Sequence, residues 1–171
     1  PKRLVVTGIE QPLIDRAKSL YTIEHAAENG IELYYVNSMQ TSTQELKALS
    51  MNGDGFDDVF VYAPVAPLLE QADQLLGFDG CLNFFAGPTD PNFNASFNFY
   101  NVHYAATHVV GTSGGNTDDM IEALELMSGK RVNPSGLITH IGGLNAVIDT
   151  TMNLPNISGG KKLIYTHLKL P

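Results

Sequence analysis

The chain has 171 residues, 43% of them hydrophobic and 16% charged, with ten basic against eighteen acidic side chains for a formal charge of −8. That composition can bury a core and make one domain, or one domain plus an appendage, and it excludes a disordered chain. Duplex nucleic acid is excluded as a partner, because neutralising phosphates needs a basic face and the basic residues gather no further than Lys2-Arg3, Lys130-Arg131 and Lys161-Lys162.

From the amino end, Leu4–Thr7 reads as a strand, and Gly8-Ile9-Glu10-Gln11 as the turn before a helix whose first position is Pro12. The helix is predicted to run, with a break near Tyr21-Thr22, to Asn29-Gly30, a pair suited to a left-handed cap. Ile31–Val36 is the next strand. Ser42 or Thr43 can cap a short helix through Leu49, and residues 51–55 (MNGDG) form a turn. The stretch Asp57–Gly87 then reads as strand, helix and strand. Val59–Ala63 and Leu82–Ala86 are short apolar runs suited to strands covered on both faces. Between them Leu68, Leu69, Ala72, Leu75 and Leu76 recur at helical spacing after Pro67, with Gly77 and Gly80 as the stop and turn. The alternation predicts an α/β fold with parallel strands joined by crossover helices.

Residues 88–99 (PTDPNFNASFNF) lack a clean period and read as a loop, followed by a short helical turn through Tyr104. His108–Thr112 is another strand, ending in Ser113-Gly114-Gly115. Asn116 or Thr117 opens a helix with Asp118 and Asp119 in its first turn, where the helix dipole favours acids. Leu137–Ile141, an amphipathic segment from Leu144 to Met152 and a terminal strand Leu163–Leu168 complete the chain.

The sole cysteine, Cys81, leaves neither an internal disulfide nor a cysteine-built zinc site within this chain, and its place on an apolar strand makes it a buried thiol. No run approaches the ~20 apolar residues of a membrane span and no signal peptide opens the chain, so a cytoplasmic setting with no membrane partner is expected. Pro1-Lys2-Arg3 runs into an apolar strand without an initiator Met, as expected of a piece of a longer protein.

In parallel α/β sheets ligands collect at the carboxyl ends of the strands. Tyr62-Ala63-Pro64 and Phe85-Ala86-Gly87 are therefore the first candidates. Gly8-Ile9-Glu10 has two readings. An acidic side chain near this strand end can accept hydrogen bonds from an adenosine ribose, or Gly8 serves a tight turn and Glu10 an exposed helix start. No G-x-G-x-x-G phosphate cradle occurs, and Gly114-Gly115 is followed by two acids that would repel phosphate, so that pair reads as a turn. The five histidines, His25, His103, His108, His140 and His167, show no metal-ligand spacing and read as structural. Ser113 follows no G-x-S-x-G elbow. Asp57-Asp58 reads as the solvated start of a strand.

The segments VVTGIEQPLIDRA (5–17), GFDDVFVYAPV (55–65), DGCLNFFAG (79–87), HVVGTSGGNTDDMIEALEL (108–126), ITHIGGLNAVIDT (138–150) and GGKKLIYT (159–166) follow one another in an order and spacing that resemble the coenzyme-binding half of the zinc-type, medium-chain alcohol and polyol dehydrogenases. The resemblance starts at that family's second sheet strand and covers nearly the whole chain. It implies a Rossmann-like parallel sheet with helices on both faces, lacking the first strand and its glycine-rich loop. Residues 1–115 would be this partial dinucleotide-binding domain and 116–171 the return of the chain into the catalytic domain.

Position by position, the resemblance implies that Gly8 and Glu10 face the adenosine ribose and that Ala63, Pro64 and Val65 lie along the adenosine side and middle of an NAD(P)H cofactor. Phe85, Ala86 and Gly87 with Thr112, Ser113 and Gly114 would bracket the nicotinamide. The family's acidic residue at the second-strand end is Gly8 here, and no basic residue follows immediately to receive a 2′-phosphate. Zinc and the proton-relay groups would belong only to the full-length enzyme, leaving this chain inactive alone. Residues 81–93 (CLNFFAGPTDPNF), 97–120 and 153–168 are similar to family members that act on phosphorylated sugars, implying interconversion of L-sorbose 1-phosphate and D-glucitol 6-phosphate. The family's habit of pairing through its edge strand implies a homo-oligomer built on His108–Thr112. In the family's strand order the missing strand is central, so its loss implies two edges without a neighbour. Two other readings stay open: a non-catalytic dinucleotide- or nucleotide-sensing module, which needs no catalytic domain, and a methyltransferase-type sheet, which needs its own glycine-rich first loop.

Overall fold

The computed structural model describes residues 1–111 and 113–170. The chain divides into two compact units, Pro1–Gly114 and Gly115–Pro171. Among the described residues no helix is long and apolar enough to cross a membrane.

The first unit opens with β1 (Arg3–Gly8), α1 (Gln11–Leu20), α2 (Ile23–Glu28) and β2 (Glu32–Asn37). The two strands pair in parallel from Arg3 opposite Glu32 to Gly8 opposite Asn37. The expected break falls at Tyr21-Thr22, where Tyr21 takes an extended backbone and the Thr22 hydroxyl accepts from His25 N to start α2. Tyr35 on β2 fixes it from below, its hydroxyl donating to the Tyr21 carbonyl at 2.7 Å. Ile14, Ala26 and Leu33 are buried and give this half its own small core. After β2, α3 (Thr43–Ala48) starts on a reciprocal cap in which Ser42 and Glu45 satisfy each other's backbone N–H groups.

The central unit consists of β3 (Phe56–Val61), α4 (Ala66–Leu75) and β4 (Leu76–Phe84), followed by α5 (Phe99–Tyr104) and β5 (His108–Gly111). β3, β4 and β5 form a second parallel sheet in that order. Its core is Val61, Ala72, Leu76 and Leu82, with Val59, Leu68, Leu69, Phe84 and Phe97 packed around them. Burying a side chain such as Leu82, 1% exposed, contributes about 1.5–3 kcal/mol. β1 and β3 lie in different sheets, and among the described residues each has one strand neighbour, β2 and β4.

The central strands differ in their bounds from the sequence reading. β3 starts at Phe56 and ends at Val61 rather than running from Val59 to Ala63. β4 begins at Leu76, six residues ahead of the expected Leu82, and so contains Gly77 and Gly80. The helix does stop at Leu75, just ahead of Gly77, but no turn away follows, and the glycines let two backbones meet. Gly77 lies against Gly55, and the register shifts between Phe56 opposite Leu76 and Asp58 opposite Cys81, the signature of a bulge. Asp57 and Asp58, read as the approach to the strand, lie within β3 and are exposed. Cys81 is only partly buried; its thiol pKa is raised by desolvation and then by the Asp58 carboxylate.

The second unit holds α6 (Thr117–Ser128), β6 (Ile138–Gly143), α7 (Val147–Met152) and β7 (Lys161–Tyr165). Asn116 caps α6, and the Asp119 carboxylate accepts from Asn116 N at 2.7 Å, so that acid completes a cap. β6 and β7 pair in parallel. β7 starts and stops earlier than the expected 163–168, because its pairing partner is the β6 stretch from Ile138 to Gly143.

Two measurements check this packing. Gly55 has φ of +126°, and a Cβ there would stand 2.4 Å from Gly77 N, whereas Gly53 at φ +76° has nothing within 4 Å. In chemical denaturation of the full-length polypeptide, Gly55→Ala is expected to cost about 2–6 kcal/mol and Gly53→Ala only ~1–2 kcal/mol. Equal costs would remove the close approach as the cause. The second concerns Asp73 on α4, 6% exposed, whose Oδ2 accepts from Asn98 N at 2.9 Å while Oδ1 is buried without a partner. Desolvation raises its pKa against the opposing pull of the Asn98 N–H and of Lys47. The folded state therefore holds this proton more tightly than the unfolded chain, and the stability it contributes is present at low pH and is lost as pH rises through the raised folded value. Asp73→Asn should flatten that acid-range slope and leave the protein at least as stable at neutral pH; an unchanged slope by denaturation at several pH values would remove Asp73 as its source.

Candidate functional site

The parallel register brings three strand ends to one level. Val61 is opposite Phe84, and Phe84 is opposite Gly111. The chain therefore leaves β3 into Tyr62-Ala63-Pro64-Val65, β4 into Phe85-Ala86-Gly87 and β5 toward Ser113-Gly114 along a single carboxyl edge. Thr112, the first residue of that last turn in the sequence reading, lies outside the described residues.

The turns are held by their own backbone. Phe85 N and Ala86 N both donate to the Val61 carbonyl, at 3.1 and 3.2 Å, tying the end of β4 to the end of β3. Val65 N donates to Ala63 O at 2.9 Å, a three-residue turn around Pro64, and the Val65 carbonyl then starts α4 by accepting from Leu68 and Leu69. Among the described residues no hydrogen bond engages the carbonyls of Phe85 and Ala86 or the N–H of Gly87. A Cβ built on Gly87 or on Gly114 meets nothing within 4 Å, and Gly114 takes φ +71°. Among the described residues the edge thus presents donors and acceptors with no partner, and at two glycines a side chain would meet nothing within 4 Å.

Aromatic side chains wall one side of this space. Strand alternation sends Val59, Val61, Leu82 and Phe84 into the core against α4, and Phe60, Tyr62, Asn83 and Phe85 to the other face. Phe60 and Tyr62 stack at 6.5 Å between centroids, and Tyr62 meets Phe85 at 5.5 Å. Tyr62 is 70% exposed and Phe85 59%. On the same face Asn83 Oδ1 is buried with no partner. The sequence reading passed over Phe60 and Asn83; their two-residue spacing from Tyr62 and Phe85 is the signal that could have found them.

Gly8 and Glu10 stand at the end of the other sheet, with Gly8 opposite Asn37. Ser38 N donates to the Gly8 carbonyl at 2.9 Å. Glu10 is the residue before α1 and makes no side-chain cap bond. Asn37, also missed by the sequence reading, accepts from Met39 N through Oδ1 and donates through Nδ2 to Gln11 Oε1 at 3.3 Å. The structure therefore groups Ala63, Pro64, Val65, Phe85, Ala86, Gly87, Ser113 and Gly114 on one sheet's edge and places Gly8 and Glu10 on the edge of another.

His103 packs edge-on against Tyr104, and His108 Nδ1 lies 3.1 Å from the Ala106 carbonyl. Among the described residues no three His, Cys, Asp or Glu side chains gather as a metal site requires. The groups present here do not fit zinc.

A family model described as zinc-binding dehydrogenase matches residues 14–129. Over its full length the chain is 56% identical to a mannitol-1-phosphate 5-dehydrogenase of Aliivibrio fischeri and 49% identical to an L-sorbose 1-phosphate reductase of Klebsiella pneumoniae. It spans only 41% and 40% of those proteins. Among solved structures it is similar to a short chain alcohol dehydrogenase from E. coli CFT073 in complex with NADH, with TM-score 0.70 and 16% identity, covering 96% of this chain and 45% of that one. It is similar also to a Sinorhizobium meliloti 1021 protein assigned as a zinc-binding dehydrogenase and bound to NADP, with TM-score 0.71 and 16% identity, covering 95% and 44%.

Proposed function

The chain belongs to the zinc-binding dehydrogenase family, and on that premise we propose that it is the cofactor-binding part of an NAD(P)-dependent oxidoreductase interconverting a ketose phosphate and a polyol phosphate, L-sorbose 1-phosphate and D-glucitol 6-phosphate. The observation that carries the reading is the level edge at the ends of β3, β4 and β5, where, among the described residues, backbone groups of Phe85, Ala86 and Gly87 have no partner and a Cβ at Gly87 or Gly114 meets nothing within 4 Å. Open α/β sheets bind dinucleotides at such carboxyl ends. The names of the two relatives, each a redox enzyme of a phosphorylated six-carbon polyol or ketose, support the substrate class.

The residues on the edge fit a nicotinamide ring. The carbonyls of Phe85 and Ala86 and the N–H of Gly87 complement a carboxamide, which carries one acceptor and two donors. The side-chain-free positions at Gly87 and Gly114 let the backbone approach it. Phe85, Ala86 and Gly87 with Thr112, Ser113 and Gly114 would hold that ring. Ala63, Pro64 and Val65 would line the adenosine side and middle of the cofactor, and Gly8 with Glu10 the adenosine ribose. When bound, the nicotinamide supplies a hydride to the substrate carbonyl carbon and takes it back in the reverse direction. This chain's share is orientation: donors and acceptors fixed on paired strands keep one face of the ring toward the substrate at little reorganisation cost.

Zinc and the proton relay belong, in this reading, to the rest of the enzyme, and the chain alone is inactive. Residues 116–171 return to the catalytic domain. The exposed edge of β5, His108–Gly111, pairs with a second copy in a homo-oligomer. A cytoplasmic setting completes the proposal.

The test assays the full-length protein for reduction of L-sorbose 1-phosphate with NADH and with NADPH, and for oxidation of mannitol 1-phosphate. Turnover of the ketose phosphate with either cofactor is expected, and activity on mannitol 1-phosphate alone would overturn the substrate assignment. Gly87→Val should leave the fold intact, because nothing lies within 4 Å of the new Cβ, and weaken dinucleotide binding tenfold or more. Wild-type affinity in that variant, read by fluorescence titration of the reduced cofactor, would remove this edge as the nicotinamide site.

A further inference from the structure

The sequence contains two Asn-Gly pairs, Asn29-Gly30 and Asn52-Gly53, and all four residues are exposed. The pairing has a chemistry of its own. Glycine has no Cβ to shield its amide, so its nitrogen can reach the side-chain carbonyl carbon of the asparagine before it. We propose that Asn52-Gly53 is a site of self-modification in the folded protein, at which Asn52 becomes isoaspartate or aspartate, and that the fold withholds Asn29-Gly30 from the same reaction.

The conversion needs no oxidant, reductant or cofactor, and its co-reactant is water. The Gly53 nitrogen forms a bond to Asn52 Cγ, the Cγ–Nδ2 bond breaks, and the proton of the attacking nitrogen leaves with the side-chain amide as ammonia. The result is a five-membered imide. Water opens it at one of its two carbonyl carbons. Cleavage between Cγ and the Gly53 nitrogen leaves aspartate; cleavage between the main-chain carbonyl carbon and that nitrogen leaves isoaspartate, whose main chain runs through Cβ and Cγ.

Ring closure requires the asparagine side chain and the peptide after it to turn toward each other, and the two pairs differ in their freedom to do so. At the end of α2, Asn29 Nδ2 donates to the His25 carbonyl at 2.8 Å. The backbone there is held as well: Asn29 N and Ile31 N donate to Ala26 O and Gly30 N to Ala27 O, each at 3.0 Å. Closing the ring at Asn29 would dismantle that cap. Asn52, in contrast, makes no hydrogen bond through backbone or side chain among the described residues, and neither do the N–H groups of Met51 and Asp54. Gly53 N donates to Ser50 O at 3.2 Å, and that carbonyl also accepts from Arg3 Nη1 at 3.0 Å. A Cβ at Gly53 meets nothing within 4 Å, so this part of the turn can rotate without striking a neighbour.

The product would be felt beyond the turn. Ser50, 2% exposed, accepts from Gly55 N through Oγ at 3.0 Å, and Gly55 abuts Gly77, so the stretch from Ser50 to Gly55 is pinned at both ends. Isoaspartate inserts one more carbon into the main chain of that stretch. Either product also adds a carboxylate close in sequence to Asp54, Asp57 and Asp58. The conversion therefore loosens the starts of β1 and β3, which Arg3, Ser50 and Gly55 tie together.

The test holds the full-length protein in warm, mildly alkaline buffer, folded in one sample and unfolded in urea in another. Both are then digested at acid pH and read by peptide mass spectrometry, with isoaspartyl methylation as a second readout. In the folded sample the peptide carrying Asn52 is expected to gain one mass unit at least tenfold faster than the peptide carrying Asn29, and in urea the two rates should come within about threefold. Asn52→Gln keeps the amide but would need a six-membered ring; it should hold its melting temperature through the incubation while that of the parent falls. Asn52 intact in the folded protein yet converted in urea overturns the proposal, as does Asn29 converting as fast as Asn52 without urea. A melting temperature that falls in both proteins, or in neither, overturns the loosening of the strand starts.

Discussion

The bonds made at the amino ends of the strands are the constraint on which the rest of the first unit depends. β1 and β3 belong to different sheets and each is an edge strand among the described residues, and an edge exposes N–H and C=O groups that must be solvated or covered. What holds the two sheets together is side-chain chemistry at the amino ends of the strands. Arg3 opens β1, pairs with Glu32, and donates to the carbonyls of Leu49 and Ser50 at 2.9 and 3.0 Å. Ser50 Oγ then accepts from Gly55 N at 3.0 Å, just ahead of β3. Lys47 on α3 donates to Gln74 and Leu76, and Gln71 on α4 donates to Thr43. These bonds tie the starts of the strands through α3 and α4, while the carboxyl ends, Gly8 and Val61, are left to the turns that form the candidate site.

That asymmetry also explains how the site divides. The edge proposed for the nicotinamide rests on three paired strands whose ends are level, and the double acceptance by the Val61 carbonyl makes the Phe85-Ala86 turn part of the sheet's own bonding. The edge proposed for the adenosine ribose rests on a separate pair. There Gly8 and Asn37 are held level by their own six-residue register. Each of the two proposed edges is thus fixed by pairing within its own sheet.

Much of this was legible in the sequence because local signals agreed with one another. Pro12, the Tyr21-Thr22 break, Asn29-Gly30 and the Ser42–Glu45 pair each act within a few residues, and each lies where its chemistry predicts. The carboxyl ends of β3 and β4 were legible to within two residues, because the short apolar runs ending at Ala63 and Ala86 are bounded by Pro and Gly, while the strands end at Val61 and Phe84. What failed to show was non-local. Gly77 and Gly80 read only as a helix stop and turn because the backbones that approach them, Gly55 at Gly77 and Phe56 at Gly80, are distant in sequence and close only once β3 and β4 pair. Asn37 and Asn83 carry no motif, and they gain meaning only from the partners that register sets opposite them, Gly8 and Phe60.

The end of β1 shows how packing limits what a strand end can carry. A side chain at the last residue of a strand points from a fixed backbone and demands room. At Gly8 that room is taken by Ile14, one of the few buried side chains of a half whose core also rests on Ala26 and Leu33. Any side chain at position 8 would trade away core packing in the part of the fold least able to lose it. Two residues on, Glu10 leaves Ile14 in place, and its backbone carbonyl anchors the start of α1.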